Sequence, residues 1–284
     1  MVVAAVLIVA GTLGFGLASY RRVAGLVAGA EETIRAAAVS VDAPFRGYAR
    51  PESAEYRDVD GTICRYQSHV ARAMAAGAQL IVLPEHAVIV TAQTRKRWLA
   101  AISNWAKEAN ARVVTGLFDA DAQQGQLVLV DESGQIVATY EKQHPMARVE
   151  PKRKMRMPPA LLQRDPFPIS GVICFDLDFN DLVRPVSRAG GVLAVPANDW
   201  QGTEELHHRS TVWATVMAGV PVVRSSGHGI SSVYDAAGRV LARANSFDGP
   251  VVLVADVPIS KLAGGRPTEG LEFEQRHDTP AMRL

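Results

Sequence analysis

The chain has 284 residues, 48% of them apolar and 21% charged, a composition that builds a substantial core in one large or two ordinary domains and excludes a disordered polymer. A net charge of +1 excludes the basic excess of a nucleic-acid binder and gives no sign of a strongly acidic partner. Two cysteines exclude a disulfide framework, and no Cys/His spacing suggests zinc, since the adjacent His207 and His208 splay apart on a helix.

Val2 to Tyr20 is uncharged, predominantly apolar and about as long as a membrane-spanning helix requires. Arg21 and Arg22 close it. Ala28-Gly29-Ala30 resembles a signal-peptide cleavage site, but the segment has no basic n-region and its arginines follow the apolar stretch, so a retained anchor is expected. Arginines after a span favour a cytoplasmic domain. The expected organisation is a transmembrane anchor over 1–22, a linker or helical extension over 23–33, a catalytic domain over 34–260 and a polar tail over 261–284.

Thr33–Asp42 is predicted as a strand and Ala43–Arg57 as a loop. Val59–Gly77 has apolar residues at helical spacing (Ile63, Tyr66, Val70, Met74) and stops at a glycine. Cys64, on that helix, is expected to be a small buried core residue. The apolar run Ala78–Pro84 ends on Glu85. Arg95–Asn110 is a second amphipathic helix with Trp98, Ile102 and Trp105 on its core stripe. Arg112–Phe118 and Gln126–Val130 are predicted strands, and the turn Asp131–Gly134 leads into a strand ending at Glu141 and Lys142. The basic cluster Lys152, Arg153, Lys154 and Arg156 is either a solvated loop or a contact for anionic lipid head groups.

Pro168–Ile173 is an apolar run that delivers Cys174. Helices are predicted over Asn180–Ala189 and Glu204–Ala218. Strands are predicted over Gly191–Pro196, Val220–Ser225, Gly229–Asp235, Arg239–Arg243 and Pro250–Val257. Alternating strands and helices imply a layered α/β domain.

Three strand-like runs thus end on reactive side chains in the order Glu85, Lys142, Cys174. A thiol near its free pKa is only fractionally ionised at neutral pH and needs a base or a nearby cation. Glu85 is suited to take the Cys174 proton and return it to a leaving group. Lys142 is suited to stabilise the thiolate and the oxyanion, with the Phe175 backbone N–H as a second donor. Singly, each residue has an ordinary reading: a core thiol, a helix cap, a surface cation. Together, at the ends of three apolar strands, they point to acyl transfer through a thioester.

Leu83-Pro84-Glu85, Tyr140-Glu141-Lys142-Gln143-His144 and Val172-Ile173-Cys174-Phe175-Asp176 resemble the Glu-Lys-Cys motifs of the nitrilase (carbon–nitrogen hydrolase) superfamily, nearest its apolipoprotein N-acyltransferase branch. Glu150 falls where the family has a second glutamate, and Pro196-Ala197-Asn198-Asp199-Trp200 resembles its Asn-Asp-Trp segment. Gly229–Leu241 resembles its late hairpin, and the likeness runs from about Ile34 to Ile259. The resemblance implies an α-β-β-α sandwich of two sheets with outer helices, preceded here by one N-terminal transmembrane helix. It implies Glu85, Lys142 and Cys174 as catalytic residues, with Glu150, Phe175 and Asp176 supporting them and Asn198, Asp199 and Trp200 lining the substrate cleft or capping the next helix. No metal or other cofactor is implied.

The implied partners are a phospholipid or lipoprotein acyl donor and acceptor at a membrane, with no nucleic acid and with a homo-oligomer possible. The catalytic domain is placed on the extracytoplasmic side. Three departures stand out. Asp176 replaces the usual glutamate, Met217 in Thr215-Val216-Met217-Ala218 replaces the glutamate of an Arg-Ala-x-Glu pattern, and the acyltransferases' several membrane helices reduce here to one span. The transferase, a small-amide or nitrile hydrolase, a silent scaffold and a piece of a longer multi-span acyltransferase all stay open at this level.

Overall fold

A computed structural model describes residues 2–30, 32–41, 58–146, 160–163 and 167–259, leaving out the side chains of 2–5, 7, 26, 160–163 and 187–188. Glu150, the basic cluster at Lys152–Arg156 and the tail over 261–284 lie outside the described residues.

The first sheet is centred on a short strand that is buried on both faces. Leu80, Ile81 and Val82 form β2 (Leu80–Val82) with no exposed atom, as expected of a parallel strand covered on both sides. β2 lies between β1 (Glu32–Ser40) and β4 (Arg112–Asp119), parallel to each. A short β3 (Ile89–Val90) also pairs with β4. Antiparallel β5 (Gln124–Val130) and β6 (Ile136–Glu141) extend one edge, and β13 (Val251–Ile259) closes the other by pairing with β1 from Glu32↔Ile259 to Ser40↔Val251.

The second sheet runs β12-β11-β10-β9-β8-β7. Its parallel centre is β8 (Ile169–Gly171), β9 (Val192–Ala197) and β10 (Val222–Ser226). Its antiparallel flanks are β7 (Ala160–Gln163), which no sequence feature announced, and the hairpin of β11 (Ile230–Tyr234) and β12 (Val240–Asn245).

Side-chain alternation along β1 sets the layers. Ile34, Ala36 and Ala38 face a core between the sheets, with Leu80, Val114, Leu129, Ile169, Val192 and Val223. Ala37 and Val39 face outward onto α2 (Val59–Ala75) and α3 (Arg95–Ala109), whose Tyr66, Val70, Trp98, Ile102 and Trp105 complete that layer. On the far side, α4 (Asn180–Ala189) and α5 (Glu204–Ala218) cover Val195, Val222 and Tyr234. The α-β-β-α order is therefore present.

Two expectations are corrected. Cys64 is exposed: α2 buries Val59, Thr62, Tyr66, Val70 and Ala73, and Cys64 falls on the opposite face. The N-terminal segment is one helix, α1 (Val2–Ala28), that runs through Arg21 and Arg22 and absorbs most of the expected linker. Among the described residues, no helix is long and apolar enough to cross a membrane. The side chains of α1 from Ile8 to Tyr20 are exposed, including Ile8, Leu13, Phe15 and Leu17. Among the described residues, the end of α1 packs on the domain, Val27 meeting Ala236 and Ala237 at the β11–β12 turn.

Candidate active site

Glu85 follows β2, Cys174 follows β8, and Asn198 and Asp199 follow β9. All four leave the C-terminal ends of parallel strands, where open α/β sheets gather their reactive groups. Lys142 arrives from the end of β6, its N–H bonded to Gly125 O at 3.0 Å.

Lys142 Nζ donates to Glu85 Oε1 at 2.8 Å, with both side chains at most 2% exposed. Beyond this pair, the carboxylate faces the Cys174 thiol and, at 3.9 Å, His86. Burial by itself raises the Glu85 carboxyl, but Lys142 and His86 beside it outweigh burial and hold it below its ordinary value. Gly116 makes room for this segment: a Cβ there would collide with Pro84 O and lie 2.7 Å from Glu85 Cα. Asn198 Nδ2 donates to Glu85 O at 2.8 Å and so ties the second sheet to the first at the site.

Cys174 opens a 3₁₀ turn, Cys174–Asp178, at φ 47°. A non-glycine residue in that region costs on the order of 1–3 kcal/mol and persists only where its surroundings enforce it. The thiol donates to Asn198 O at 3.3 Å. Burial, and then the Glu85 carboxylate, push its pKa well above the ordinary value against the opposing pull of Lys142. At rest the proton therefore sits on sulfur and the charge on Glu85. This is a thiol beside a base, not a thiolate ion pair.

Asp176 points away from the cleft. Fully buried, it accepts from Tyr140 OH at 2.7 Å, Gln143 N at 3.1 Å and His144 N at 2.6 Å. It thereby fixes the segment that carries Lys142. Phe175, Asn198 and Trp200 do line a cleft with Cys174, together with Met146, Leu177, Asp178, His207 and Arg224. Asp199, expected there, is buried instead. It accepts from Arg224 at 2.5 and 3.1 Å, from His207 Nδ1 at 2.6 Å and from Ile230 N at 3.3 Å. Gly229, at φ 106°, lies where a Cβ would strike the Asp199 side chain.

Sequence reasoning missed Arg224, Tyr140 and the role of His207. A lone arginine inside the apolar run Val220–Ser225 was a readable signal for the first. His207 and His208 do diverge, one toward Asp199 and the other toward Tyr234 OH. Among the described residues, no group of three or more His, Cys, Asp or Glu is placed to hold a metal ion.

Residues 35–266 match the family model described as Carbon-nitrogen hydrolase. The apolipoprotein N-acyltransferase of Geobacter metallireducens is 28% identical over 63% of this chain and 40% of its own length. That of Pseudomonas syringae pv. tomato is 25% identical over 65% and 42%. The chain thus spans less than half the length of these curated relatives. Among solved structures, a cysteine-to-alanine mutant of an amidase from Nesterenkonia sp. AN1 bound to butyramide superposes with a TM-score of 0.67 at 21% identity, covering 79% of this chain and 91% of that one. A double mutant of the same amidase with acrylamide gives 0.68 at 20% identity, over 83% and 94%.

Proposed function

Because the chain belongs to the carbon–nitrogen hydrolase family, we propose that it is a membrane-attached enzyme that moves an acyl group from a lipid donor to an amine through a thioester on Cys174. The observation that carries this reading is the buried Glu85–Lys142 pair beside the Cys174 thiol, which stands on a strained turn. Glu85 supplies the base and Lys142 the fixed cation that a thiol attack on a carbonyl requires.

In the first half-reaction, Cys174 Sγ bonds to the donor carbonyl carbon while its proton passes to Glu85. The oxyanion is met by Lys142 Nζ and the Phe175 backbone N–H. The bond to the leaving oxygen or nitrogen then breaks, and Glu85 returns the proton to that atom. An amine or water afterwards attacks the thioester and releases the thiolate.

Two features favour a lipid donor. Curated relatives are named apolipoprotein N-acyltransferases, and α1 exposes apolar side chains with no covering element among the described residues. Helix α5 adds exposed Leu206, Trp213 and Met217. Exposed apolar surface of this kind marks a contact with lipid or with another protein, and we place the domain on the extracytoplasmic side, where lipoprotein amines are available. A second reading, hydrolysis of small amides, is favoured by polar groups in the cleft, Asn198, Asp178, His207 and Arg224.

Intact mass after incubation with phospholipid vesicles tests both. A fatty-acyl increase on wild type but not on Cys174→Ala supports lipid-derived acyl transfer, whereas release of ammonia from butyramide with no adduct supports hydrolysis. Full turnover by a folded Cys174→Ala variant removes the mechanism.

A further inference from the structure

His86 follows Glu85 in the chain and has no part in the reading above. Its backbone is left-handed, at φ 49°, and the segment is strapped to β4 on both sides of it. Leu83 N–H donates to Val114 O at 2.8 Å and Ala87 N–H to Gly116 O at 3.2 Å. His86 Nε2 lies 3.9 Å from Glu85 Oε1, the oxygen that Lys142 Nζ holds at 2.8 Å. The ring is set edge-on against Phe118 of β4, the centroids 5.1 Å apart at 70°. Ring and lysine stem both pass over Gly125 of β5, whose Cβ position is 3.8 Å from His86 Nε2 and 3.6 Å from Lys142 Cβ. Among the described residues, the titratable groups facing the ring are thus Glu85 from its own segment and Lys142 from the end of β6, with Cys174 on the other side of Glu85. On β4, Phe118 is uncharged, and the next residue, Asp119, is paired with Arg95 at 3.3 Å. Exposure separates the members of this group. The Glu85 and Lys142 side chains are 2% and 1% exposed, the imidazole 12%. His86 is therefore the one placed to exchange a proton with water, and histidine is the side chain whose charge changes near neutral pH.

We propose that His86 sets the strength of Glu85 as a base, the imidazolium weakening the carboxylate and the neutral ring restoring it. The proposal rests on the thioester reading, in which Glu85 accepts the Cys174 proton. A second cation beside the oxygen that Lys142 already holds stabilises the carboxylate against taking that proton, as an opposite charge at this distance does. A weaker base removes the thiol proton more slowly. His86 takes no proton from the thiol and touches no substrate; it acts through Glu85 and is a positioning residue. Acylation is therefore slow while the ring is charged and quickens as pH rises through the ring's titration, ordinarily at roughly 6.5. Glu85 is itself held below 4.5, burial being outweighed by Lys142 and His86, so its own titration falls outside that range.

The test is the pH dependence of acylation by the full chain in detergent, from about pH 5.5 to 8.5. The acyl donor is p-nitrophenyl butyrate, which does not titrate. Nitrophenol release at low donor concentration gives kcat/KM, and intact mass reports the butyryl thioester on Cys174. The wild type is expected to rise roughly 3- to 10-fold across one ionisation. His86→Asn, a residue that tolerates a left-handed backbone, is expected to stay flat at the upper plateau. His86→Arg, charged throughout, is expected to stay flat at the lower one. The NMR titration of the His86 ring in the wild type should coincide with the kinetic step, and a mismatch overturns the role without recourse to any variant. A wild type with no step, a step that survives in His86→Asn, or an equal loss of rate at every pH in both variants overturns it as well. A wild type that forms no thioester overturns the Cys174 reading and this proposal with it.

Discussion

Two of the site's buried carboxylates, Glu85 and Asp199, are each paired with a buried cation, and they are built for opposite ends. Asp199 is saturated: two guanidinium donors, an imidazole and a backbone N–H converge on it. Glu85 takes one ammonium donor on one oxygen and otherwise faces only the Cys174 thiol and, at 3.9 Å, His86. A saturated buried carboxylate has nothing left to accept and acts as structure. A half-satisfied one keeps an oxygen on which a proton can be placed. Burial is the same in both; what differs is the count of donors.

Neutral amides test this comparison through activity. Glu85→Gln removes the base and is expected to lower acylation by about 10³-fold, within the range of lost general base catalysis. Each amide also leaves a buried cation, Lys142 or Arg224, without its counter-charge and is expected to cost roughly 3–5 kcal/mol, read as a fall in melting temperature. Acylation at the wild-type rate by a folded Glu85→Gln variant would show that the donor count does not mark the base. Both carboxyls are held below their ordinary values of 4.5 and 3.8. The stability each gives is thus fully present above those values and lost as pH falls through the lower folded ones. Asp199→Asn should flatten that acid limb of the melting curve against pH.

The same contrast explains what the sequence made legible. Glu85, Lys142 and Cys174 could be read because each ends an apolar run, and strand ends are encoded locally. The layer order followed from a resemblance, not from periodicity, since Leu80–Val82 is buried on both faces and carries no alternation. Asp199 was read with Asn198 and Trp200, from the resemblance of their segment, as lining the cleft or capping the next helix. Its burial is decided by Arg224, one strand away in the sheet, and sequence spacing carries no record of that contact. His207 was set aside as half of a diverging pair, a reading that is silent about a carboxylate eight positions earlier. Cys64 was misplaced because a small thiol fits either helix face, and only the packing of Tyr66 and Val70 decides between them.

Gly116 tests how far the aim of Glu85 depends on backbone placement. Its missing Cβ lets β4 pass against Pro84 and Glu85, and overpacking of this kind typically costs about 1–3 kcal/mol. Gly116→Ala is expected to lose stability in that range and to lower acylation further, because the Glu85 backbone itself must shift. A variant that is destabilised but turns over at the wild-type rate would show that the Glu85 segment relaxes without losing its aim.

The smallest effect concerns the two thiols. Cys64 is exposed and Cys174 is largely enclosed, with burial and then Glu85 raising the Cys174 pKa well above its ordinary value of 9.0. Alkylation requires the thiolate, so iodoacetamide at neutral pH should label Cys64 several-fold faster than Cys174. Glu85→Gln removes the second cause of that shift and leaves Lys142 nearby without its counter-charge. Labelling of Cys174 should therefore rise in that variant while acylation falls. This opposition of signs is the sharpest form of the comparison. A thiolate made easier by losing the carboxylate, with catalysis nonetheless lost, assigns Glu85 to moving the proton and not to storing charge.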